Sequence, residues 1–104
     1  MTQKLDLRDE HAAIIREVLR AHLSANARAY VFGSRAHGGA RQYFDLDLAL
    51  EWDRPLGLHI IGEIAEALSE SDLPYKVDIV DLATVDPDFR TRVLSGCLEF
   101  LRQR

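Results

Sequence analysis

Cysteine is almost missing from this chain: Cys97 is the sole one among 104 residues. It cannot form an internal disulfide, so the fold cannot rest on cross-links, and a cytoplasmic, reducing setting is expected. No apolar run approaches the ~20 residues of a membrane-spanning helix. The N-terminus lacks the basic-then-apolar order of a secretory signal. Positive charge is also thin, with 13 Lys and Arg against 17 Asp and Glu and a net charge of −4. A protein that grips long nucleic acid carries a broad basic footprint, and this chain has none. Only three prolines and six glycines are present, with no repeat and no Gly/Ser-rich linker. Residues 1–104 are therefore expected to form a single domain around one core.

What is there is ordinary soluble-protein composition, 47% hydrophobic and 29% charged, with clear periodicity. From about Arg8 to Ser24, the residues Ile14, Ile15, Val18, Leu19 and Leu23 recur at helical spacing. Ala29-Tyr30-Val31-Phe32 is an apolar run suited to a buried strand. A second strand runs through Leu46, Leu48 and Leu50 to about Glu51, and Arg54-Pro55 interrupts the chain after it. A second helix is expected from Leu58 to Ser69, and a third strand from Tyr75 to Leu82. Asp86-Pro87 reads as an N-cap followed by proline at the first helical position. Phe89, Val93, Leu94, Cys97, Leu98 and Leu101 then supply the apolar stripe of a last helix. The expected order is αββαβα, a two-layer α/β (α+β) arrangement with helices on one face of the sheet and the other face open.

The chemistry concentrates in GSRAHGGARQYFDLDLAL. Successive strand residues point to opposite faces, so Asp45 and Asp47 share one face while Phe44, Leu46, Leu48 and Leu50 share the other. Two carboxylates side by side repel, and a cation between them removes that repulsion. The pair therefore reads as a divalent-metal site. Upstream, a strand ending in Gly33-Ser34 and opening a helical turn exposes backbone N–H groups and a hydroxyl. That concavity suits a phosphate, and glycine admits the phosphate without a Cβ in the way. A phosphate cradle beside a carboxylate-held metal is what phosphoryl or nucleotidyl transfer requires. Arg35 could meet phosphate charge or be a solvated side chain. His11, His22 and His59 lack zinc-ligand spacing.

Gly33-Ser34, ten intervening residues, Asp45-Leu46-Asp47 and a later acid on a strand resemble the nucleotidyltransferase superfamily that includes DNA polymerase beta. The length and motif order look most like the minimal nucleotidyltransferases (MNT). Gly33, Ser34, Asp45 and Asp47 fall on that family's motif positions. The third acid falls on Asp78, flanked by Val77 and Ile79, with Asp81 as the second candidate. Phe44 departs from the pattern, since many relatives carry serine before the first aspartate. The resemblance implies a mixed sheet whose open face carries the acids. It further implies two Mg²⁺ ions held by Asp45, Asp47 and Asp78, and ATP gripped at Gly33, Ser34 and Arg35. The implied reaction moves AMP to a protein hydroxyl, a tyrosine of a HEPN ribonuclease toxin. The chain would then be the antitoxin of a hetero-oligomeric pair. Two alternatives are an antitoxin that inhibits by binding alone and a nucleotidyltransferase acting on a small molecule.

Overall fold

A computed structural model of the chain describes residues 7–24, 26–33 and 45–102. The elements are α1 (Asp9–His22), β1 (Arg28–Phe32), β2 (Leu46–Glu51), α2 (Leu58–Ser69), β3 (Val77–Asp81), α3 (Pro87–Gly96) and β4 (Leu98–Arg102). Helix α1 has Asp9 and Glu10 in its first turn and Arg20 and His22 in its last. This charge order complements the helix dipole. Ile15 and Leu19, four residues apart, lie one above the other on its inner face and are fully buried.

The four strands lie in the order β3-β2-β1-β4. Strand β1 is antiparallel to both β2 and β4, whereas β2 and β3 are parallel. A parallel pair needs a crossover, and α2 supplies it. Helices α1 and α2 cover one face, where Ile15, Leu19, Val31, Leu46, Leu48, Leu50, Ile64 and Leu68 form the main core. On the opposite face Tyr30, Ala49, Leu82 and Val93 form a smaller cluster, flanked by Phe32, Val80 and Phe89. Strand β2 places Asp47, Ala49 and Glu51 on this face, and Asp45 comes just before the strand. Ala49 interrupts the acidic series and gives Val93 of α3 a place to pack. Helix α3 thus packs on the acid-bearing face over Tyr30 and Ala49, in a cluster that does not include Asp45, Asp47 or Asp78.

Helix α3 starts as its sequence implies. The Asp86 carboxylate accepts the Phe89 N–H at 3.3 Å, and proline follows the cap. An ion pair then fastens the helix to the sheet. Arg90 Nη2 donates to Glu51 Oε2 at 2.6 Å, and Nη1 donates to the Leu82 carbonyl at 3.1 Å. The other Glu51 oxygen accepts from the Tyr30 hydroxyl at 2.8 Å. Burial, and secondarily this bond to Glu51, push the Tyr30 pKa up and keep the phenol a donor.

The expected last helix is shorter than its apolar stripe. It ends at Gly96; Cys97 is extended (φ −98°, ψ 166°), and Leu98 and Leu101 belong to β4. Leu94 is 36% exposed. Apolar residues at 94, 98 and 101 satisfy helical spacing, yet the outer edge of β1 requires backbone partners that only a strand supplies. Pairing of Arg28 with Arg102 and Val31 with Leu98 meets that need. Among the described residues no helix is long and apolar enough to cross a membrane.

Candidate active site

Strand pairing assembles the acids. Asp47 on β2 has Phe32 of β1 as its partner on one side and Asp78 of β3 on the other. Asp45, two residues before Asp47 and exposed, precedes the first residue of β2. Asp47 and Asp78 are half-buried. Burial raises the Asp47 pKa above its ordinary value, and the negative charges of Asp78 and then Asp45 raise it further. The Asp78 and Asp45 carboxylates are therefore both close enough to act on that of Asp47. Lys76 Nζ stands 3.6 Å from Asp78 Oδ1, a solvent-exposed pair that offsets part of this charge.

Gly33 follows Phe32 directly and sits against Asp47. Its φ is +76°, a left-handed conformation that side chains with a Cβ rarely adopt. A Cβ built there would lie 2.5 Å from Asp47 Oδ2. Glycine is thus needed both for the backbone path and for room beside the carboxylate. Ser34 and Arg35, with the segment through Phe44, lie outside the described residues.

Asp81 has a different task. It is buried, faces away from Asp78, and accepts the Leu56 N–H at 2.9 Å and the Ala83 N–H at 3.0 Å. Its carboxylate is committed to holding the loop before α2 and the turn after β3. Of the two candidate third acids, Asp78 is the one on the face of Asp47.

Oxygen-only ligands suit a hard cation such as Mg²⁺. Among the described residues no three His, Cys, Asp or Glu side chains converge into a closed metal-binding group. Mg²⁺ keeps several waters and uses one or two carboxylates with substrate phosphate oxygens, so an open carboxylate pair fits it. At Gly33 the missing Cβ lets the Asp47 carboxylate lie directly against the backbone at the end of β1.

Reading the residues alone missed a small cavity next to this site. Phe32, Gly33, Phe89, Arg92, Val93 and Gly96 line a space of about 170 Å³ between β1 and α3. The rings of Phe32 and Phe89 meet edge to face at 6.2 Å, and the Arg92 guanidinium lies 5.8 Å from the Phe89 ring centre. The helical spacing of Phe89 and Val93 showed an inward face, but nothing local showed that this face meets Phe32.

Comparison with known proteins gives the family and the fold. The family described as polymerase beta, nucleotidyltransferase matches residues 13–102. The "Probable protein adenylyltransferase MntA" of Haemophilus influenzae is 42% identical over 87 residues, covering 84% of this chain and 75% of the relative. A crystal structure of a toxin–antitoxin with AMP-PNP superposes with a TM-score of 0.76 at 25% identity, covering 89% of this chain and 74% of that one. The same fold recurs in an MNT antitoxin complexed with a tri-AMPylated HEPN toxin from Shewanella oneidensis. There the TM-score is 0.69 and the identity 24%, covering 88% of this chain and 70% of that one. The chain belongs to the polymerase beta family of nucleotidyltransferases.

Proposed function

We propose that this protein is a Mg²⁺-dependent protein adenylyltransferase. It moves AMP from ATP to a tyrosine hydroxyl of a HEPN ribonuclease toxin and so acts as that toxin's cytoplasmic antitoxin. The observation that carries the reading is the side-by-side register of Asp47 and Asp78, with Asp45 acting on the same carboxylate and Gly33 packed against it. The name of the Haemophilus relative, and the AMP-PNP and HEPN complexes of the structural neighbours, support the substrate and the partner.

In this reading Asp45 and Asp47 would hold Mg²⁺, and Asp78 would share a second ion. The metal supplies charge neutralisation on the triphosphate and the leaving pyrophosphate. Gly33, Ser34 and Arg35 would grip the β and γ phosphates. Asp78, at the far side of Asp47 from Gly33, would accept the proton of the attacking hydroxyl. The new bond joins that oxygen to the α-phosphorus, and the bond to the β-phosphate bridging oxygen breaks. Residues 1–104 would serve as one minimal domain, with the toxin presenting the acceptor in a hetero-oligomer.

The test is incubation with labelled ATP, Mg²⁺ and a HEPN toxin from the same genome. Label is expected on the toxin with the wild-type chain and none with the Asp45→Asn, Asp47→Asn double variant. No label with the wild type overturns the reading. The alternative is inhibition by binding alone. A double variant that still protects cells from the toxin would establish that alternative.

A further inference from the structure

We propose that this chain pairs with a second copy of itself along the open edge of β3, the α2 helices of the two copies meeting flank to flank. The inference does not rest on the adenylyltransferase reading. The edge strand is the first argument. In the order β3-β2-β1-β4 the sheet ends in β3 on one side and β4 on the other. Strand β4 carries a register shift opposite Ala29 and Tyr30, and such a bulge blunts an edge against further pairing. Strand β3 has no such guard: its pairing with β2 is regular from Val77 to Asp81, and it contains no proline. The Lys76 carbonyl accepts the Leu46 N–H and the Leu82 N–H donates to the Leu50 carbonyl, so the even-numbered residues turn toward β2. Val77 and Ile79 therefore turn their N–H and C=O groups outward, where β3 has no neighbouring strand among the described residues.

The flank of α2 beside that edge is the second argument. Leu58, Ile61, Gly62, Ala65 and Ser69 recur at helical spacing and share one flank, which carries no charge. His59, Glu63, Glu66 and Glu70 lie on the other. Leu58 is 91% exposed, and a Cβ at Gly62 would meet no atom within 4 Å. Between the uncharged flank and β3 runs a groove of about 540 Å³, walled by Ala65, Ser69, Leu73, Pro74, Tyr75 and Val77. Among its described lining residues only Lys76 is charged, and that ammonium lies 3.6 Å from Asp78. An exposed uncharged flank beside an open strand edge marks an association face. Charge selects the occupant. In a chain of net charge −4, this strip is where two copies meet without repulsion, and it offers nothing to a strongly charged partner. The strand is self-complementary as well. An antiparallel pairing centred on Ile79 sets Ile79 against its own copy, Val77 against Asp81 and Asp78 against Val80, so no like charges are opposed. The two-fold axis then stands upright on the sheet, puts both α2 helices on the face away from the acids, and closes the assembly at two copies.

Sedimentation equilibrium of the full chain tests the pairing, with the Leu58→Glu, Gly62→Glu double variant as comparison. Both positions are exposed, so circular dichroism is expected to show an unchanged fold. Wild type is expected at twice the mass of one chain. The variant places like charges across the two-fold and should raise the dissociation constant about tenfold or more. Hydrogen exchange reads the strand itself: the Val77 and Ile79 amides should exchange about tenfold more slowly in the wild type than in the variant. A wild type that stays monomeric up to about 0.1 mM overturns the pairing. So does a dimer that persists in the variant, or one whose Val77 and Ile79 amides exchange as fast as the variant's. A monomeric wild type whose complex with a HEPN toxin is lost in the variant would also overturn it, by giving this flank to the toxin. AMP transfer to the toxin is assayed separately and is independent of each of these outcomes.

Discussion

Asp47 is the residue on which site and stability pull in opposite directions. Its carboxylate is half-buried beside two like charges, and its pKa is raised in the folded chain. A raised pKa means that the fold disfavours the charged form. The resulting destabilisation is complete above the folded pKa and vanishes as pH falls below the unfolded value. Asp47→Asn is therefore expected to raise Tm at neutral pH, and the gain should shrink as pH falls through the raised folded value and be gone below about pH 4. Thermal unfolding of both proteins across pH 3–8 measures this; an equal gain at every pH would refute the electrostatic cause. The same substitution is expected to abolish transfer, which marks the repulsion as a property kept for function.

Among the elements, β3 shows how one strand serves two ends. Asp78 faces the acid site, whereas Asp81 ties the Leu56 and Ala83 amides. Removing Asp81 leaves two backbone donors without their acceptor, so Asp81→Ala should cost about 2–3 kcal/mol in urea unfolding. Asp78→Ala should stay within about 0.5 kcal/mol of wild type, because its partner Lys76 is exposed, yet it should lose transfer activity. Alternation made this division legible in the sequence, since an odd separation puts the two acids on opposite faces. Helix α1 and the capped start of α3 were legible for similar reasons: each rests on contacts within a few residues or on a fixed period. The spacing of Gly33 and the aspartates was legible only through the resemblance to a family. Strand β4 was not, because Leu98 and Leu101 fit either period and only the edge of β1 decides between them. The Phe32–Phe89 contact and the Arg90–Glu51 ion pair join residues 57 and 39 positions apart, a distance no local pattern reports.

For the whole molecule, the proposed Mg²⁺ site would make stability depend on a cation. A divalent ion that binds only the folded chain stabilises it by mass action, about 1.4 kcal/mol at ten times its Kd. For a chain of this size that is a rise of roughly 5–10 °C in Tm. Mg²⁺ is expected to produce this rise in the wild type and none in the Asp45→Asn, Asp47→Asn variant; equal shifts in both would place the ion elsewhere.

The parallel register that sets Asp47 opposite Asp78 also limits how this gene can change length. A single codon gained or lost within β3 would rotate Val77 and Ile79 into solvent and swing Asp78 into the apolar layer under α2. Inheritable indels should therefore gather at 53–55, where exposed residues link the strand to the Leu56 amide that Asp81 holds and parity does not matter.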